Sequence, residues 1–420
     1  MDVTLMPSVI KGHAHAIPSK SFAHRLLICA ALSDEATDIE CRSISEDIEA
    51  TMRCLVSLGA GLTYRDGIIS VSPISSLRRR TLLDCGESGS TFRFLAPVTA
   101  ALGAESDFIL NGRLAKRPMQ PLWDILESSS LTISGKGTKK IMISGKLSGH
   151  EFYIPGNVSS QFISGMLMAL PLLENGGIIR IGGSTESKGY VSMTLSALKT
   201  FGIDTEVKGS SMTVPWKQAY VSPHRVKTEG DWSNAAFWLC GAAACGQALT
   251  CTGLDPVSSQ GDRAICNVLE NMGAKIVFGQ NSVTVETNGL ICSDIDAKDI
   301  PDLVPAIAVA ACAARGTTNI YNAGRLRLKE SDRLFTVADT LNKLGANVLE
   351  NESSLTINGG KTLAGGCIDA CGDHRIAMMA AIASVISEGS ITVRNAQTVN
   401  KSYPGFFDDF EKLNGRTGKR

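Results

Sequence analysis

Six polar residues, Ser19, Ser88, Ser159, Asp231, Asp302 and Asp373, each stand at the head of an apolar, alanine-rich stretch that reads as a helix. Successive members lie 69, 71, 72, 71 and 71 residues apart. A period that regular across 420 residues means one supersecondary unit used six times, and it constrains the fold more tightly than any local propensity. A second marker repeats in step. Leu58-Gly59-Ala60, Phe201-Gly202-Ile203, Met272-Gly273-Ala274 and Leu344-Gly345-Ala346 each end a helical pattern, with a glycine suited to the left-handed C-cap position. Short alternating segments follow, such as Leu62-Thr63-Tyr64 with Ile68–Val71 and Lys275–Phe278 with Ser282–Val285, and these read as hairpins. The unit mixes helices with short strands.

The last repeat is incomplete. From each glycine marker to the next helix start is about thirty residues, but the marker near Leu413 has only seven after it. Met1–Pro18 has about the missing length and precedes a helix start as the absent strands would, so it is expected to complete the last repeat. Two domains follow, in keeping with a length above what one core organises: residues 19–228, and residues 229–420 plus 1–18. The chain would cross between them twice, near Pro18 and Thr228, which makes a two-stranded hinge.

Charge narrows the function. Lys plus Arg and Asp plus Glu number 41 each, which argues against a nucleic-acid partner, since such proteins carry a basic excess. No apolar run reaches the roughly 18 residues of a membrane span, and the first ten residues lack a signal-peptide pattern, so a soluble cytoplasmic protein is expected. The twelve cysteines are scattered through apolar segments and read as reduced core residues. Cys367 with Cys371, His13 with His15, and His374 all lack the further ligands a zinc site needs, so no metal is expected.

An anion site in a neutral chain must concentrate charge locally, and helix N-termini do so with free N–H groups and the positive end of the dipole. Serine and aspartate there are also ordinary N-caps, so the accompanying residues carry the argument. Lys20-Ser21 and Arg25 share the first turns of one helix. Gly86-Glu87-Ser88-Gly89-Ser90-Thr91 forms a glycine- and serine-rich turn whose amides suit an oxyanion. Ser159-Ser160-Gln161 opens an otherwise apolar helix, Asp302 opens the fifth and Asp373-His374-Arg375 the sixth. Lys329 and Arg333 are spaced i, i+4, as on one helical face.

These segments resemble the 5-enolpyruvylshikimate-3-phosphate synthase family along essentially the whole chain. The matching stretches are Pro18-Ser19-Lys20-Ser21 with Arg25, the Gly86–Arg93 loop, Lys116-Arg117-Pro118, Ser159-Ser160-Gln161, Ser187-Lys188 with Tyr190, Glu229-Gly230-Asp231, Gln260-Gly261-Asp262, Ile300-Pro301-Asp302, Lys329–Arg333, Asp373-His374-Arg375, and Lys401 before Pro404. The resemblance implies an α/β, two-domain enolpyruvyl transferase fold of six βαβαββ repeats, three per domain, with helices inside and sheets outside. It implies shikimate 3-phosphate and phosphoenolpyruvate bound between the domains, domain closure on binding, no metal or organic cofactor, and a monomer without nucleic-acid or membrane partners.

By the same resemblance Ser21 and Arg25 would hold the shikimate carboxylate, and Ser159, Ser160, Ser187 and Lys329 the 3-phosphate, with Gln161 and Tyr190 against the ring. Arg117, Arg333, Arg375, Lys401, Gln161 and the Gly89 amide would grip phosphoenolpyruvate, and Lys20 would touch both substrates. Asp302, which also borders the shikimate site, would be the base, and Glu330 with Lys20 the acid. Glu87, Ser90, Phe94 and Arg325 depart from common family residues. Glu87 is expected to turn away from a phosphate toward a base such as Arg93. A UDP-N-acetylglucosamine enolpyruvyl transferase is the nearest alternative. It is disfavoured by the intact Ser159-Ser160-Gln161 and Ser187 with Tyr190, and by the lack of a loop cysteine near Arg117. A non-enzymatic repeat scaffold, such as a nucleic-acid clamp, would need a basic surface that the charge balance does not provide.

Overall fold

The computed structural model describes residues 1–78, 80–183 and 186–418. Its strands assemble into six four-stranded sheets, one per repeat. The second repeat shows the plan. Strand Arg80–Gly86 lies parallel to Glu105–Leu110, and the connection between them is the helix Gly89–Leu102. Parallel neighbours require such a crossover. Helix Gln120–Ser128 follows, and then the antiparallel strands Thr132–Ser134 and Lys140–Ser144 complete the sheet. The expected hairpins Gly61–Arg65 with Ile68–Ser72, and Lys275–Gly279 with Ser282–Glu286, are both formed.

The first and fourth sheets take their leading parallel strand from elsewhere in the sequence. Arg225–Lys227 pairs with Thr37–Glu40, and Gly12–His15 pairs with Leu249–Thr252. The N-terminal segment therefore divides its service. Val3–Met6 lies between Ile391–Arg394 and Arg416–Thr417 and closes the last repeat, while Gly12–His15 joins the fourth. Sequence reasoning assigned the whole segment to the last repeat. Pro7, which has no N–H for a ladder, follows the first strand directly and frees the chain to change sheets.

Two compact units result, Pro18–Thr228 and Met1–Ile17 with Glu229–Arg420, each with its own apolar core. In the first, helices Lys20–Leu32, Gly89–Leu102 and Ser160–Ala169 are buried over most of their length, as are Trp232–Ala244, Val304–Ala313 and His374–Ala383 in the second. Strands present one face to these helices, as the alternating burial of Arg80–Gly86 shows. Alanine-rich surfaces let the helices approach closely. At Gly165 a Cβ would collide with the backbone oxygen of Arg93, so the pair Gly89–Leu102 and Ser160–Ala169 packs only with glycine at that point. Among the described residues no helix is long and apolar enough to cross a membrane.

Five of the six predicted helix heads are side-chain N-caps. Ser19, Ser88, Ser159, Asp231 and Asp373 accept hydrogen bonds from the backbone N–H groups of Phe22, Thr91, Gln161, Asn234 and Arg375. Asp302 departs from the pattern. It sits in a 3-10 turn, Pro301–Leu303, ahead of helix Val304–Ala313, whose N-cap position is taken by Leu303.

Candidate active site

In the unit Pro18–Thr228 the buried helix heads bring their polar residues together. Gln161 ties the third head to the second. Its Oε1 accepts from Arg93 Nη1 at 2.6 Å, and its Nε2 donates to Ser90 Oγ at 2.9 Å, which fixes which way the amide faces. Gly89 lies beneath two guanidinium groups: a Cβ there would stand 2.9 Å from Arg117 Nη1 and 3.5 Å from Arg93 Nη1. Arg93 also donates to Met119 Sδ and Pro118 O, both at 3.3 Å, while the Glu87 side chain lies across Gly112.

Arg25 is buried, and its donors go to neutral oxygens: Thr194 Oγ1 at 2.8 Å, Ser21 O at 2.5 Å, Tyr190 O at 2.9 Å and Ser164 Oγ at 3.3 Å. Its Cζ lies 4.9 Å from the centre of the Phe94 ring. Burial pushes its pKa down to about 10, so the charge is held without a carboxylate among these hydrogen-bond partners. Lys20 pairs with Asp47 at 2.8 Å. Ser187 adopts a left-handed conformation, φ 55°, just ahead of helix Lys188–Thr200, where Tyr190 N–H donates to its carbonyl. Ser159 caps Ser160–Ala169, and Ser160 is buried in that helix's first turn.

The second unit gathers its charges around Asp302. Oδ1 accepts from Lys329 Nζ at 3.0 Å and Arg333 Nη1 at 2.8 Å, and Oδ2 from Arg375 Nη2 at 3.3 Å. Arg375 Nη1 also donates to the Asp302 carbonyl at 2.9 Å. Arg333 reaches Glu330 Oε2 at 2.7 Å and Asp373 Oδ2 and Oδ1 at 2.7 and 3.2 Å. Burial works to raise the Asp302 pKa, but Arg375, Lys329 and Arg333 outweigh it and hold the carboxyl well below the usual range. Burial lowers Lys329, whereas Arg333 is raised against its burial by Asp373, Glu330 and Asp302. Lys401 is buried in the 3-10 turn Ala396–Lys401, which packs on helix His374–Ala383.

One expectation is corrected here. Lys329 and Arg333 do not share a helical face, because Lys329 is extended and the helix begins only at Arg333, capped by Asp332. They meet because both point at Asp302 Oδ1. Three further residues belong to the clusters and were not singled out from sequence as site residues: Asp47, Arg93 and Asp373. Asp47 reads as an ordinary acid in a helix's first turn, and Asp373 as a cap, which it is as well. No local signal shows that the first also meets Lys20 and the second the buried Arg333.

Two sets of three βαβαββ repeats, with anion-seeking groups at the helix heads, define the enolpyruvyl transferase class. Solved structures of the same architecture are an EPSP synthase from Acinetobacter baumannii, with a TM-score of 0.82 at 24% identity over 100% of both chains, and the enolpyruvyl transferase NikO from Streptomyces tendae, with a TM-score of 0.82 at 16% identity over 99% and 98%. The family model described as EPSP synthase (3-phosphoshikimate 1-carboxyvinyltransferase) matches residues 6–410. Relatives named 3-phosphoshikimate 1-carboxyvinyltransferase include those of Clostridium kluyveri, 42% identical, and Clostridioides difficile, 41% identical, each covering 98% of this chain and 97% of its own length. The chain belongs to the EPSP synthase family.

Proposed function

We propose that the chain is a 3-phosphoshikimate 1-carboxyvinyltransferase, EC 2.5.1.19, which moves the enolpyruvyl group of phosphoenolpyruvate to the 5-hydroxyl of shikimate 3-phosphate and releases phosphate. Full-length identity near 40% to relatives of that name carries the reading and favours it over the UDP-amino-sugar and scaffold alternatives. The protein acts as a cytoplasmic monomer without metal or organic cofactor in this reading.

The grouping of residues within each unit supports a division of labour. Arg25 and Ser21 take the shikimate carboxylate, and Ser159, Ser160, Ser187 and Lys329 its phosphate, with Gln161 and Tyr190 along the ring. Arg117, Arg333, Arg375, Lys401, Gln161, Lys20 and the Gly89 amide take phosphoenolpyruvate, through forked guanidinium groups suited to carboxylate and phosphate. Asp302 accepts the hydroxyl proton as oxygen adds to C2. Glu330 and Lys20 protonate C3, and phosphate then leaves as a C3 proton is withdrawn.

Asp302 held by three cations is a weak base at rest. Substrate anions that engage Lys329, Arg333 and Arg375 would draw charge from its carboxylate and restore basicity when both reactants are present. The test is phosphate release from metal-depleted protein given both substrates, with UDP-N-acetylglucosamine as the alternative acceptor. Release dependent on shikimate 3-phosphate, lost roughly a hundredfold or more in Asp302→Asn, is expected. Release with the sugar nucleotide alone would overturn the assignment, and near-normal turnover in Asp302→Asn would remove the base role.

A further inference from the structure

Helix Lys20–Leu32 carries a fully buried histidine, His24, that this mechanism does not use. Its Nδ1 lies 2.7 Å from Thr51 Oγ1, which lies 2.7 Å from Thr91 Oγ1, which in turn donates to Ser88 Oγ at 2.7 Å. The chain of side chains is buried throughout and ends at the residue before Gly89.

Its polarity follows proton by proton. Thr91 has a single hydroxyl hydrogen and gives it to Ser88, so Thr51 must give its own to Thr91. Thr51 then offers His24 only a lone pair, and Nδ1 must carry the imidazole proton. Nε2 is left bare, and it is a buried atom without a hydrogen-bond partner. An orphaned acceptor is tolerated there more readily than an orphaned N–H. Burial keeps the ring neutral, pushing its pKa down to about 3 against the pull of Asp47 and with the push of Lys20 and Arg25. At the far end Ser88 Oγ also accepts from Thr91 N–H at 3.3 Å, which fills its lone pairs and leaves its own hydrogen as the donor not committed within the chain.

We infer that His24, acting through Thr51 and Thr91, is a positioning residue that keeps the hydrogen of the Ser88 hydroxyl free of the chain, as a donor at the head of the glycine- and serine-rich loop. This rests on the reading that the loop receives phosphoenolpyruvate. Cut from the imidazole, the hydroxyl chain is free to invert, and Ser88 would then turn lone pairs toward an anion.

Nitrogen-15 NMR of the full chain labelled at histidine tests the polarity. A neutral Nδ1–H tautomer of His24, unchanged from pH 8 to pH 5, is expected, and an Nε2–H tautomer or an imidazolium in that range overturns the inference. Kinetics test the consequence. Thr51→Val cuts the chain and Thr51→Ser keeps it. The valine variant should raise KM for phosphoenolpyruvate about tenfold, as for loss of a hydrogen bond to a charged group, with KM for shikimate 3-phosphate nearly unchanged, and the serine variant should restore it. Equal KM values in both variants overturn it. Arg117→Ala separates the two readings. If it leaves KM for phosphoenolpyruvate unchanged, the loop assignment fails and the inference with it. If it raises KM while Thr51→Val does not, the relay alone fails. Should Thr51→Val not fold, the tautomer in the unaltered protein decides.

Discussion

Arg333 is buried against Asp373, its Nε and Nη2 reaching the two carboxylate oxygens at 2.7 and 3.2 Å. Asp373 is itself fully buried and also accepts the Ser331 hydroxyl at 3.0 Å. The pair aims the remaining guanidinium edge at Asp302 and Glu330. Asp373→Asn keeps an oxygen to cap Arg375 N–H but removes the charge. It should cost about 3 kcal/mol of stability, the range for breaking a buried pair. It should also lower kcat/KM roughly a hundredfold by misplacing Arg333. Urea unfolding and steady-state kinetics check both, and a fully active variant would show that Arg333 needs no such brace.

Gly89 and Gly165 are predicted to fail in different ways. The Cβ of Gly89→Ala meets the end of the Arg117 side chain, which can swing aside, so stability should change little while KM for phosphoenolpyruvate rises about tenfold from loss of a charged contact. The Cβ of Gly165→Ala meets the Arg93 backbone and the Pro97 ring, which cannot yield cheaply. It should destabilise by about 1–3 kcal/mol, the usual cost of overpacking. Thermal melts with substrate titrations separate the two, and equal loss of stability would refute the distinction.

His24 makes stability depend on pH in a stated direction. Its folded pKa of about 3 lies below the ordinary value of 6.5, so the unfolded chain binds the extra proton first. Its contribution is complete above 6.5 and is lost as pH falls, by about 1.4 kcal/mol per unit, down to about 3. Denaturant unfolding at pH 7, 6 and 5 should show a slope that is shallower by that amount in His24→Gln. Parallel slopes would mean the ring takes up its proton in the folded protein over the same pH range as in the unfolded chain.

For Asp302 the expectation is a carboxylate that titrates in the free protein below the ordinary value of 3.8, because Arg375, Lys329 and Arg333 hold it there in spite of burial. Its contribution to stability is present above the unfolded value and is lost as pH falls through the folded one. Carbon-13 titration of labelled aspartate, assigned by loss of the signal in Asp302→Asn, checks this, and a midpoint at or above 4 would contradict the geometry.

The repeat was legible because every unit must bury the same kind of helix against the same kind of sheet, and the heads at Ser19, Ser88, Ser159, Asp231 and Asp373 cap those helices as their residue types require. The run Lys329–Arg333 misled, since i, i+4 spacing describes a helix face only where a helix exists, and here an extended residue precedes an N-cap. The N-terminal strands misled in part because pairing is a property of sheets, not of neighbours in the chain.

The amino-acid order by itself determined the six-fold period, the alternation of helix and hairpin, and the stock of anion-binding residues, all of which reside in local pattern and residue chemistry. Only the tertiary structure decided that Asp302 would be held by Lys329, Arg333 and Arg375, that Asp373 would brace Arg333, and that His24 would reach Ser88 through two threonines. Such contacts join residues far apart in sequence. Their distances are set when whole repeats pack, and no window of sequence contains both partners together with the geometry that makes them meet.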